Sequence, residues 1–251
     1  MNDPHVVALY YEANPVEHLR YENPAPISVT RRQFEGTLAA GVFVARMSEH
    51  YPTEEEGRIP VEAFLRAWEV SAALSRGHEE IRFEFERAEM IDRQPRTDGT
   101  VFLTGRVTAQ VNVSATVIVV TSKYPSPPND FAVVPLVETL WRRYERYSNG
   151  KEPLFAMSYF CLTVLEREAG DRRGAAAKFG VHKSVLNKIG ELSSARGDET
   201  TARKATNQLQ PASGNEVRWL EAAIRALITN VGTAAGGGHP ETLCMKNLPV
   251  I

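Results

Sequence analysis

From Val107 to Val119 every second residue is apolar: Val107, Ala109, Val111, Val113, Ala115, Val117 and Val119. Between them Thr108, Gln110, Asn112, Ser114 and Thr116 are polar. Successive side chains of a strand point to opposite faces, so this period sets one face against a core and the other in water. Such a segment belongs to an antiparallel sheet covered on one side, and it excludes an all-helical fold. Its thirteen residues exceed the usual strand of about 5–6, which predicts a bend or bulge near Gly105 or Ala115. Asp98-Gly99 is a turn signal that would fold "EEIRFEFERAEMI" (Glu79–Ile91) back on this strand as a hairpin. "VVALYYE" (Val6–Glu12) is a further β-rich stretch.

Helices are expected to cover the sheet. "PVEAFLRAWEVSAALSRG" reads as one, with Pro60 in its first turn, a stop at Gly77, and Val61, Phe64, Leu65, Trp68 and Ala72 on one stripe. The stretch from Val29 to Tyr51 is open between two readings. Phe34, Leu38, Val42 and Ala45 suit a helix, whereas its glycines and β-branched residues permit strands. Thr53–Gly57, "TEEEG", reads as a solvated loop.

The texture changes at "YPSPPND" (Tyr124–Asp130), where three prolines in seven residues remove donors and force extended backbone. Helical periodicity dominates after it, with helices predicted at 131–147, 154–168, 171–179, 183–194 and 214–230. The expected fold class is therefore α+β. An antiparallel β-sheet domain with one or two covering helices (1–123) precedes an all-helical domain (131–231) and a partly flexible tail (232–251). The apolar end of that tail, "LCMKNLPVI", is expected to dock back onto the body.

Composition narrows function mainly by exclusion. Apolar residues make up 43% and charged residues 24%, enough for a core without disulfides or metals. The two cysteines, Cys161 and Cys244, have no zinc-like spacing, and Cys161 reads as a small buried hydrophobe. No window holds the ~18 apolar residues a membrane helix needs and no leader is read, so a cytoplasmic protein is expected. The histidines show no metal-binding spacing, and no serine-hydrolase elbow or phosphate-binding glycine loop is present. No cofactor or metal is expected. A helical nuclease pairing Arg173 with His182 is disfavoured, because the two would straddle a turn at Gly180.

One stretch carries the functional expectation. "DRRGAAAKFGVHKSVLNKIGEL" (Asp171–Leu192) reads as a short helix, a turn at Gly180 and a second helix. It matches a helix-turn-helix pattern, with Ala176 where the helices cross and apolar glue at Ala175, Phe179, Val181, Leu186 and Ile189. The second helix would present His182, Lys183, Ser184, Asn187 and Lys188 to duplex DNA, with Arg172 and Arg173 on phosphates. Between Asp171 and Asn207 eight Lys/Arg stand against four acids, a local excess of +4 in a chain whose net charge is −2. The expectation is a non-enzymatic, DNA-associated or regulatory protein, working as a homodimer if it reads DNA. The rival is a protein-interaction module in which the same helix pair is ordinary bundle packing and touches no nucleic acid. A weaker third reading is an enzyme whose site gathers residues far apart in sequence.

Overall fold

The computed structural model describes residues 3–16, 19–76, 81–94, 103–105, 119–196 and 210–251, which fall into two compact units, Met1–Pro128 and Asn129–Ile251. The first unit is built on six antiparallel strands ordered β3-β4-β5-β1-β6-β7: β1 (Pro4–Pro15), β3 (Ile27–Thr30), β4 (Phe34–Ala39), β5 (Val42–Met47), β6 (Ile81–Asp92) and β7 (Leu103–Gly105). Two short parallel strands, β2 (Leu19–Tyr21) and β8 (Val119–Thr121), pair separately. The α+β class predicted from the sequence is the one observed.

Val6, Leu9, Tyr11 and Ala13 of β1 belong to the core of this unit, and Ala8 is buried as well. The step of three after Val6 breaks strict alternation. The register against β6 shifts between Val6 and Ala8 and again between Tyr10 and Tyr11, and each irregularity re-aims the following side chains. The pairing of β6 with β7 is antiparallel. The Asp98-Gly99 turn and the alternating run up to Ile118 lie outside the described residues.

The ambiguous stretch after Val29 resolves as strands. Of the two readings, the strand one holds: the segment forms the β4–β5 hairpin, whose two-residue turn is Ala40-Gly41 with φ +49° and +79°. Among the described residues one helix, α1 (Glu54–Arg76), packs on the sheet of this unit. It begins six residues before Pro60, so the expected solvated loop Thr53–Gly57 is its first turn. Thr53 Oγ1 accepts from the Glu56 N–H at 3.3 Å, and Glu54, Glu55 and Glu56 favour the positive end of the helix dipole. Val61, Phe64, Leu65, Trp68 and Ala72 of its inner stripe join Phe34, Leu38, Phe43 and Tyr11 in one core. The proline-rich segment is fastened to this unit: Trp68 Nε1 donates to the Pro125 carbonyl at 3.0 Å and Arg31 Nη2 to that of Pro128 at 2.8 Å.

The second unit holds α2 (Pro135–Ser148), α3 (Leu154–Ala169), α4 (Arg172–Lys178), α5 (Lys183–Ala195) and α6 (Gly214–Ala235). Helix α3 packs against each of the others. Helix α6 opens on a capping box, in which the Ser213 and Glu216 side chains each satisfy the other's backbone N–H. It continues five residues past its predicted end at Asn230. There Gly232, Gly236 and Gly238 lie against Asp130 and Phe131, leaving no room for a Cβ, and the Ala132 N–H donates to the Gly232 carbonyl at 3.0 Å. These glycines are sites of close approach rather than the start of a linker. None of the helices among the described residues is long and apolar enough to cross a membrane.

Candidate nucleic-acid interface

Helix α4 starts at Asp171, whose carboxylate accepts from the Gly174 N–H at 2.6 Å. The turn after it needs a residue that tolerates left-handed backbone, and Gly180 has φ +61°. Ala175, Phe179, Val181, Leu186 and Ile189 are all at most 4% exposed, so the apolar glue read from the sequence does hold the pair together. Val185 and Leu192 join them.

The corner carries a clamp that sequence reasoning missed. Leu243 forms a parallel bridge with Val181; its N–H donates to the Gly180 carbonyl and its carbonyl accepts from the His182 N–H, both at 2.8 Å. From α6, Asn230 Nδ2 reaches the carbonyls of Gly180 at 3.1 Å and Glu241 at 3.2 Å. The apolar tail segment "LCMKNLPVI" signalled docking, and Leu243 and Leu248 are buried. Nothing local in the sequence marks Asn230 as its partner.

The buried side of α5 is Val185, Leu186, Ile189, Leu192 and Ser193. At about 100° per residue, Lys183, Asn187, Glu191, Ser184 and Lys188 occupy the remaining arc of about 140°. The four polar residues predicted on this helix are therefore together, on the outer side, with an acid among them. His182 caps the helix: its Nδ1 accepts from the Ser184 N–H at 3.3 Å and lies 2.7 Å from Ser184 Oγ.

The cations are less available than the sequence implied. Arg172 Nε pairs with Glu166 of α3 at 2.5 Å, and its Nη1 donates to Asn187 Oδ1 at 3.3 Å. Lys188 pairs with Glu191 at 2.8 Å. Arg173 and Lys183 are exposed and have no ion-pair partner among the described residues. Arg172 takes one of the two lone pairs of Asn187 Oδ1, so the Asn187 amide keeps its NH₂ donor and one acceptor site. Gly190, an unfavourable residue inside a helix, has a local reason. A Cβ there would lie 3.1 Å from Arg172 Nη2 and 3.3 Å from Leu162 Cδ2, so the missing side chain makes room for the guanidinium.

No group of three or more His, Cys, Asp or Glu could hold a metal among the described residues. Burial pushes the Cys161 thiol up to about 12, which keeps it protonated and inert. Arg173 lies on α4 and His182 caps α5, so the two do not share a helix. In comparisons with known proteins, the chain matches no family model, no curated protein and no solved structure.

Proposed function

We propose that the protein is a non-enzymatic, cytoplasmic DNA-associated protein that contacts the phosphate backbone of duplex DNA through the outer arc of α5. The observation that carries this reading is the placement of Lys183, Ser184, Asn187 and Lys188 on one outer arc of a helix clamped at its start. Arg173 adds a cation from the neighbouring α4. These are phosphate-seeking groups on a rigid element.

Each phosphate neutralised contributes about 0.9 to the fall of log affinity with log salt. With Arg173 and Lys183 as the unpaired cations, a slope near −2 is expected on random-sequence duplex, steepening toward −3 if Lys188 leaves Glu191. The double variant Arg173→Ala/Lys183→Ala should flatten it by about 2. Absence of binding to duplex at 20 mM salt, or an unchanged slope in the double variant, overturns the proposal.

The Arg172–Glu166 and Lys188–Glu191 pairs favour a second reading, a protein-interaction module, because they spend half of the expected cations internally. Capture of a specific protein through this arc, in a protein that shows no salt-dependent DNA binding, would establish it.

A further inference from the structure

The first unit contains a cleft of about 570 Å³ lined by Ala13, Pro15, Arg20, Tyr21, Asn23, Pro24, Ala40, Gly41 and Tyr124, within the size range of small-molecule sites. Three features distinguish it from a surface dimple. Asn23 (φ +45°) and Ala40 (φ +49°) are the two non-glycine residues with left-handed backbone among the described residues, and both line this one cleft. At Ala40 the positive φ is what a two-residue hairpin turn requires, and at Asn23 it falls on a residue that tolerates it. The Ala40-Gly41 turn is enforced from two sides: the Ala13 N–H donates to the Gly41 carbonyl at 2.8 Å and the Gly41 N–H to the Tyr124 hydroxyl at 2.9 Å. Asn or Gly is the usual occupant of the Ala40 position in such turns. Alanine keeps a longer side chain out of the cleft.

The second feature is charge. Arg20 is exposed and has no ion-pair partner among the described residues, while its planar fork suits a carboxylate. The third is the wall. Tyr21 and Tyr124 lie with ring centroids 4.8 Å apart, and Pro15, Pro24 and Ala13 add flat apolar surface. Tyr124 is 7% exposed; its hydroxyl accepts from Gly41, and its own hydrogen has no acceptor among the described residues.

We propose that this cleft binds a small aromatic carboxylate, its carboxylate held by Arg20 and the Tyr124 hydroxyl and its ring by the tyrosine and proline wall. The site stands independently of whether the helical unit binds DNA.

The test uses the full chain, with 2-naphthoate as probe and 2-naphthamide as its uncharged isostere, titrated by NMR while following the Gly41 and Tyr21 amide resonances. Saturable shifts of these amides with 2-naphthoate are expected, with 2-naphthamide at least about tenfold weaker, since a charge-assisted pair is lost. Arg20→Gln, at an exposed position, should weaken 2-naphthoate by about tenfold or more and leave 2-naphthamide within about twofold. Failure of 2-naphthoate to bind at millimolar concentration overturns the proposal. So does equal affinity for acid and amide, or an Arg20→Gln variant with native circular dichroism and undiminished 2-naphthoate affinity.

Discussion

Gly36 sits in the middle of β4, and its substitution by alanine tests the packing of the first unit more sharply than any truncation. In a strand, Gly→Ala ordinarily stabilises by about 0.5–1 kcal/mol, because the unfolded chain loses freedom. Here a Cβ would fall 2.7 Å from Phe43 Cε2, closer still to Cζ, and 2.8 Å from Val29 Cγ2. The Phe43 ring is fully buried. Around it stand Phe34, Phe64, Trp68 and Phe83, with centroids at 6.4, 6.2, 6.1 and 5.9 Å, so it cannot swing aside without losing contacts worth about 0.5–1.5 kcal/mol each. Overpacking costs about 1–3 kcal/mol, so Gly36→Ala should destabilise by about 2 kcal/mol, opposite in sign to the ordinary effect. Native-state hydrogen exchange of the Leu38 and Ala45 amides measures this within the β4–β5 pair. Phe43→Leu vacates the space the new methyl needs, so the double variant should recover at least about 1 kcal/mol relative to additivity. A stabilised Gly36→Ala protein, or strict additivity in the double variant, would refute the packing described.

Two further outcomes follow from the same geometry. Asn230→Ala removes the clamp on the Gly180 and Glu241 carbonyls. It should cost about 1–2 kcal/mol and speed amide exchange at His182 and Leu243 while leaving the first unit unchanged; equal protection at both amides would contradict the clamp. Burial, then His50 and Arg93 beside it, lower the His5 pKa from its ordinary 6.5 against the opposing pull of Asp3. The unfolded chain therefore protonates His5 first, so stability is complete above about pH 6.5 and declines as pH falls through that value toward the folded pKa. Thermal midpoints between pH 7.5 and 5 should show this decline, and His5→Asn should flatten it.

Legibility in the sequence followed the reach of each signal. The inner stripe of α1 is one helix's own periodicity, and Val61, Phe64, Leu65, Trp68 and Ala72 all lie where that period put them. The start of α1 was missed because Pro60 is a strong helix-start signal, while Thr53 capping and three dipole-favoured glutamates act only once a helix exists. The β4–β5 hairpin was obscured because Phe34, Leu38, Val42 and Ala45 satisfy a period near four. Phe34, Leu38 and Ala45 are nonetheless buried through strand registers, on two strands paired Phe34 with Met47 and Leu38 with Phe43. The cleft of the first unit left no sequence trace. It draws Ala13, Arg20, Ala40 and Tyr124 from four separate segments, and the left-handed φ of an alanine carries no compositional mark.

The interface shows the limit of counting charges. A local excess of +4 was read from identities alone, yet the field a phosphate meets depends on which cations are already neutralised. Glu166 lies five residues before the counted window and takes Arg172; Glu191, within it, takes Lys188. The deletion of a side chain at Gly190 places the Arg172 guanidinium against α5, so a residue that weakens the helix locally also fixes its neighbour's orientation. Gly190→Ala separates these effects. It should raise helix propensity by about 1 kcal/mol while shifting the Arg172 guanidinium by only a few tenths of an ångström; combined with Glu166→Gln, which removes the carboxylate that neutralises Arg172, it frees one cation. If the outer arc meets phosphate, the double variant should bind random duplex with a salt slope steeper by about 0.9. A slope unchanged from the parent would mean that Arg172, even released, does not face the ligand, and the arc would then be solvent surface on a packed bundle.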